Sequence, residues 1–178
     1  MGNSGISRGQ EAALVVLRTL IGWHFLYEGF VKLWWPSWTR AGAPLGRWSA
    51  AGYLRASSGP FADAFRRLAD VSWMPWLDVL MTWSLILVGL GLILGLFTQL
   101  ACAGALALLA LFYLSFLPTH GVIEPGAEGS YLFVNKNLLE AAAVAVLLLF
   151  RTGRIAGLDL LLARPRVAQA TPAAEAAR

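Results

Sequence analysis

The sequence predicts an all-α integral membrane protein built as a bundle of four membrane-spanning helices. Of its 178 residues, 58% are hydrophobic and only 13% are charged, which excludes an ordinary soluble domain and a disordered chain. A span needs about 20 mostly apolar residues. Four stretches meet this requirement, at residues 12–35, 76–97, 99–117 and 132–150.

The first stretch also has to be weighed against a secretory signal peptide, because Arg8 precedes an apolar run. The run is too long for a signal peptide, and it carries Arg18 and Glu28 within it. We therefore predict that it stays in the protein as the first span. The membrane domain would cover residues 11–162, with a tail at 1–10 and a disordered C-terminal tail at 163–178.

The long connection between the first and second stretches has a pattern of its own. Residues 47–70 place apolar side chains among arginines and alanines, with a break at Gly59 and Pro60. This pattern predicts two short amphipathic helices that lie on the membrane surface. Tryptophans at both ends of this connection indicate an interfacial aromatic belt.

Basic residues indicate the orientation. The loop at 118–130 contains no lysine or arginine, whereas Arg8, Arg151 and Arg154 flank the membrane domain next to the two termini. Five arginines in the connection at 36–72 oppose this count and bring it close to balance. Because cytoplasmic flanks carry an excess of basic residues and the loop at 118–130 has none, both termini are predicted to be cytoplasmic.

Charged side chains inside the apolar stretches are the strongest functional signal. An ionisable group at bilayer depth costs roughly 2.5–3.5 kcal/mol, so it usually faces the protein interior and has a function. Helical geometry predicts that most of these groups converge near the outer face, between the first, second and fourth spans. The predicted proton-exchanging groups are Glu28 and Glu140, and the predicted binding groups are Arg18, Lys32, Asp78, Lys136 and Asn137.

Two interpretations of these charges stay open. One is a polar site that holds an anion, a quinone headgroup or a proton path. The other is a set of ion pairs that fix the register of the helices, or lysines whose ammonium groups reach the interface. Arg18 is expected to pair with Glu28 or with backbone carbonyls.

Several other chemistries find little support. His24 and His120 are the only histidines, and a mid-span and a loop residue do not suit a haem. No metal-ligand spacing is present, and Cys102 has no second cysteine for redox chemistry. Gly89 and Gly91 are followed by Leu94 where a dinucleotide fingerprint needs a third glycine, and Gly91 with Gly95 indicates close helix packing instead. The net charge of +4 is spread over membrane flanks, so no nucleic acid is expected.

Short motifs lie along residues 18–159. They are the charged run at 18–32, GPFA at 59–62, GLILGLFT at 91–98, VNKNLLE at 134–140, TGR at 152–154 and GLD at 157–159. Together these motifs resemble the DoxX/DoxD family of small four-span membrane proteins.

The resemblance implies a multi-pass protein of a bacterial or archaeal inner membrane, related to the DoxD subunit of thiosulfate:quinone oxidoreductase. It implies quinone as the cofactor, with no metal or haem, and a DoxA-like partner subunit or a homo-oligomer in the lipid bilayer. It transfers no catalytic signature residue by residue. The alternatives are a non-catalytic scaffold or assembly subunit, and a small transporter or proton conductor.

Overall fold

The computed structural model describes residues 6–34, 48–117, 130–131 and 133–162. The predicted tail at 163–178, the loop at 118–129 and residues 35–47 lie outside these ranges. The described chain is mostly helical, in the order α1 (Arg8–Trp34), α2 (Ala51–Arg55), α3 (Ala62–Leu68), α4 (Met74–Leu94), α5 (Thr98–Ser115), β1 (Ser130–Tyr131), β2 (Val134–Asn135), α6 (Lys136–Leu149) and α7 (Asp159–Leu162). A 3-10 turn at Thr152–Arg154 precedes α7.

Three of the described helices are long and apolar enough to cross a membrane, namely α1, α4 and α5. Large apolar side chains such as Leu20, Trp23 and Leu87 are exposed on these helices, which is consistent with contact to lipid. α6 corresponds to the fourth predicted span but has only 14 residues, or about 21 Å of helix. The structure therefore supports three of the four predicted spans.

α1 begins earlier than the sequence predicts. The Ser7 backbone N–H donates to the Gln10 side chain at 2.8 Å, and the Gln10 N–H donates to Ser7 Oγ at 3.3 Å. This reciprocal pair is a capping box, which satisfies two N–H groups that the first helical turn leaves without partners. The helix thus starts at Arg8, inside the segment predicted to be a tail.

α1 and α4 pack along most of their length because glycines remove side chains between them. A Cβ added at Gly29 would lie 2.9 Å from the backbone nitrogen of Ile86, and one at Gly89 would lie 2.7 Å from the carbonyl oxygen of Gly22. Small residues at a helix crossing let two backbones approach closely.

The glycines predicted to serve helix packing have different roles. Gly95 ends α4 in the left-handed conformation, with φ of +64°, and is its C-cap. Gly91 does pack against α5, where an added Cβ would lie 3.0 Å from Cβ of Ala101.

The remaining long helices close a circuit in which α5 packs on α4, α6 on α5, and α6 on α1. The contact between α6 and α1 is much sparser than that between α1 and α4. The core of the circuit is made by buried apolar side chains of all four helices, among them Phe25, Leu85, Leu92, Leu109, Val144 and Leu147.

The two short helices predicted between the first two long ones are present, on either side of Gly59 with φ of +90°. Among their apolar side chains, Tyr53 is exposed and others are turned into the protein. Leu54 of α2 is 3% exposed, and it packs in a small cluster with Phe65, Leu68 and Met74. α2 and α3 therefore cover one end of the long helices.

The sequence predicts that the fourth span begins at residue 132, but the described residues before α6 are not helical. Residues 130–131 and 134–135 form two short antiparallel strands, in which Ser130 pairs with Asn135. Asn135 then caps α6, because its Oδ1 accepts a hydrogen bond from the Leu138 N–H at 3.0 Å. An asparagine cap fixes the helix start, which places Lys136 in the first turn.

Candidate functional site

A cavity of about 410 Å³ lies at the end of the long helices where α4 and α6 begin. It lies beneath residues 48–55, a segment that includes α2 and that we call the α2 cover. One side is apolar and aromatic, with Phe25, Leu85 and Phe112 among its lining residues. Another side is polar and charged, and it carries His24, Glu28, Lys32, Lys136 and Asn137. A concave apolar site with a few converging polar groups is the usual form of a small-molecule pocket.

Glu28 and Lys32 form an ion pair one turn apart on α1. Lys32 Nζ lies 2.5 Å from Glu28 Oε2, and it also lies 5.2 Å from the centre of the Trp48 ring. The Lys32 side chain is 17% exposed, whereas that of Glu28 is 49% exposed. The ammonium group is thus held by a carboxylate and an aromatic face, which joins α1 to the segment that covers the cavity.

His24 and Glu140 connect α1 to α6. His24 Nδ1 lies 2.8 Å from Glu140 Oε1, and the Glu140 side chain is only 14% exposed. An ionised carboxylate is an acceptor, so it favours the proton on Nδ1 of the imidazole. The other ring nitrogen, Nε2, is then the atom of this pair that can gain or lose a proton.

Lys136 and Asn137 come from the first turn of α6, where the Asn135 cap places them at the cavity. Lys136 pairs with no carboxylate in the described part of the chain. An ammonium group and a side-chain amide offer hydrogen-bond donors at the polar side of the cavity.

Asp78 holds the cover instead of lining the cavity. Its Oδ1 accepts a hydrogen bond from the Ala50 backbone N–H at 2.8 Å, just before α2. On the far side of α2, the Tyr53 hydroxyl lies 2.8 Å from Ser115 Oγ. Burial raises the pKa of Tyr53 and its hydrogen bond with Ser115 opposes that rise, so the phenol remains a donor at neutral pH. The cover is thus tied to α4 and α5.

Arg18 lies in a separate cluster at the opposite end of the long helices. The residue is 2% exposed, and its guanidinium donates to the carbonyls of Thr152 at 3.0 Å and Ala156 at 2.5 Å. Of the two partners expected for Arg18, backbone carbonyls are therefore the ones observed. These bonds join α1 to the chain that follows α6.

Asp159 completes this cluster by capping α5 from another part of the chain. Its carboxylate accepts the backbone N–H groups of Phe97 at 2.7 Å and Thr98 at 3.0 Å. Burial would raise the pKa of Asp159. The hydrogen bonds from Thr98 and Phe97 and the charge of Arg18 outweigh it and hold the pKa below the ordinary value of 3.8.

The structure brings together four of the seven predicted site residues as cavity lining, namely Glu28, Lys32, Lys136 and Asn137. Glu140 adjoins them through His24, whereas Asp78 and Arg18 are engaged elsewhere. The predicted list omits His24, Trp48 and Tyr53. His24 had a signal in the sequence, since it begins the stripe that continues every fourth residue with Glu28 and Lys32.

In the described part of the chain, no three His, Cys, Asp or Glu side chains lie close enough together to hold a metal ion. Comparison with protein-family models, with curated proteins and with solved structures found no match for this chain. The resemblance to the DoxX/DoxD family, like the residue roles inferred with it, stays a prediction.

Proposed function

We propose that this chain is a membrane subunit of a quinone-linked oxidoreductase, of the thiosulfate:quinone type, and that α6 serves as its fourth span. The observation that carries the proposal is the cavity, whose aromatic and aliphatic side meets an imidazole–carboxylate pair and two lysines. A cavity of this kind suits an amphiphile with a flat polar headgroup.

The donor set fits a quinone headgroup. Quinone oxygens accept hydrogen bonds, and Lys136, Asn137 and His24 all present N–H donors to the cavity. Phe112 and Trp48 offer aromatic faces to a planar ring. When bound, a quinone supplies two-electron acceptor chemistry that consumes two protons.

The residues around the headgroup have separate roles in this proposal. Lys136 provides positive charge that favours negative charge developing on a ligand oxygen. His24 donates a proton from Nε2, and Glu140 stabilises the imidazolium through Nδ1. Glu28 is half exposed and can pass protons between the cavity and its surroundings. Arg18 lies in the other cluster, so we leave it out of the site.

The test is turnover of purified protein in lipid nanodiscs, alone and with any co-purifying partner, using thiosulfate and a decyl-tailed benzoquinone or ferricyanide. We expect Glu140→Gln and Lys136→Ala to lower turnover by about 10²-fold, the usual range for loss of a proton-transferring or charge-stabilising group. Asp63→Asn and Arg154→Ala are matched controls, because these exposed residues lie away from the cavity. Unchanged turnover in both site variants would show that the site is wrongly assigned.

The pairing of the charges also favours a second candidate, a non-catalytic scaffold. His24 with Glu140 joins α1 to α6, as a register-fixing role requires, whereas Glu28 and Lys32 pair within α1. Recovery of a stoichiometric partner, without bound quinone and without turnover, would support the scaffold over the oxidoreductase.

A further inference from the structure

The cavity is better closed towards the α2 cover than towards the seam between α1 and α6. Three polar or cation–π contacts hold the cover, from Lys32 to Trp48, from Asp78 to Ala50 and from Tyr53 to Ser115. They tie it to α1, α4 and α5. In the described ranges, a ligand that enters through the cover has to break contacts to three helices.

In the described ranges, fewer polar contacts hold the seam between α1 and α6 than hold the cover. Among the described residues, His24 and Glu140 make a polar contact across it at cavity height, and the Arg18 hydrogen bonds lie at the opposite end of the helices. The His24 side chain is 45% exposed although it lines the cavity. This exposure is consistent with an opening of the cavity beside His24.

The surroundings of this opening are apolar. Trp23 and Tyr27 beside His24 are exposed, as is Leu139 beside Glu140. Side chains of this kind face lipid when a helix crosses a membrane. An opening at their level leads from the cavity into the bilayer.

We infer that the cavity is loaded sideways from the bilayer through the α1–α6 seam, with the His24–Glu140 contact as its latch. Its ligand is an amphiphile that keeps its headgroup in the cavity and its hydrocarbon tail in lipid. The volume of about 410 Å³ lies near the lower end for ligand pockets, which leaves room for a headgroup but little for a long tail. The ligand class rests on the proposed function, but the route does not.

The latch lies among several charges. Glu140 and Lys136 face His24 from α6, and Glu28 faces it from α1. Loss of either latch residue leaves the core packing of α1 on α4 in place, because that contact depends on glycines and apolar side chains. The seam is then the part of the fold that loosens first.

The test needs no ligand. In a Cys102→Ala background, Met81→Cys places a thiol in the cavity lining. Labelling in nanodiscs is timed with a neutral alkyl maleimide that dissolves in lipid and with a charged maleimide that stays in water. We expect Glu140→Ala to speed the lipid-soluble reagent by about tenfold, the factor for one lost charge-assisted hydrogen bond, and to leave the charged reagent unchanged.

Two further variants keep the outcome decisive. His24→Ala should give the same increase, and the double variant should add little to it, because both substitutions break one contact. Tyr53→Phe loosens the cover and should speed only the charged reagent. The inference is overturned if Tyr53→Phe, and not Glu140→Ala, speeds the lipid-soluble reagent, or if the thiol is unlabelled in every variant. If the labelling follows the expected pattern but the protein does not reduce quinone, the proposed function is wrong and the inferred route still holds.

Discussion

The close contact between α1 and α4 predicts that Gly89→Ala destabilises the protein although alanine favours helix. A Cβ at this position would lie 2.7 Å from the Gly22 carbonyl oxygen and closer still to the backbone nitrogen of Leu26. Both neighbours are backbone atoms of a helix, so no flexible side chain can move aside. The two helices have to separate by roughly 0.5–1 Å, a gap that forfeits a quarter to a half of each dispersion contact across it.

The loss can be estimated from the leucines beside the contact. Leu85 and Leu92 are 2% and 0% exposed and lie on the buried side of α4. If about half of the 40–60 contacts of each leucine cross the interface, at about 0.15 kcal/mol each, losing one third costs about 2.5 kcal/mol for the pair. Replacing a helical glycine returns just under 1 kcal/mol. The net destabilisation is then about 1.5–2 kcal/mol.

The assay is thermal unfolding in detergent, followed by circular dichroism. We expect a loss of roughly 3–8 °C in Tm for Gly89→Ala. Gly9→Ala is the control on α1, because its Cβ would meet only Ser7 Oγ, at 3.9 Å. This control should keep or raise the Tm. If Gly89→Ala melts with the unchanged protein, or Gly9→Ala falls as far, the backbone-contact argument is wrong.

Three further predictions concern the opposite end of the helices and the core. Asp159→Asn should lower stability by about 1–2 kcal/mol at neutral pH, because the amide keeps one acceptor oxygen and turns an NH2 group towards the second backbone N–H. Because the pKa of Asp159 is lowered on folding, its contribution is present above about pH 4 and is lost as the pH falls through the folded-state pKa. The melting curves of the two proteins should therefore converge in acid. Exposed Asp63→Asn is the control, and it should change the Tm at neutral pH far less than Asp159→Asn does. Gly153→Ala should lower the free energy of unfolding by about 3 kcal/mol or more, because its Cβ would collide with the Asp159 carboxylate and the Thr98 hydroxyl. Gly52→Ala is the control, because its Cβ would meet no other atom. Equal Tm values for the two variants would refute this prediction. Cys102, which is 0% exposed, should resist a water-soluble maleimide until the protein unfolds, and rapid labelling of the folded protein would contradict its burial.

Much of the fold followed from the sequence. Apolar length predicted four spans, and three of them are present as helices of membrane length. The break at Gly59 predicted the pair of short helices. The ends of the helices were less accessible, because they depend on hydrogen bonds. The capping box of Ser7 lengthened α1, and the cap from Asn135 shortened α6.

The candidate site was predictable where one helix decides the geometry. Glu28 and Lys32 share a face of α1 by their spacing, and they do pair. Lys136 and Asn137 follow the cap of α6 and reach the cavity. The partner of Glu140 was not predictable, since no local pattern relates His24 to a residue 116 positions away.

The sequence by itself determined that the chain has helices of membrane length and carries charged groups into them, because length, composition and helical spacing are local properties. Tertiary structure alone decided how those charges are used. It placed His24 against Glu140 beside a cavity, and it sent Arg18 to the carbonyls of Thr152 and Ala156. The physical reason is that a buried polar group takes whichever partner the packed helices bring within hydrogen-bond distance, and glycines such as Gly89 set how closely those helices approach.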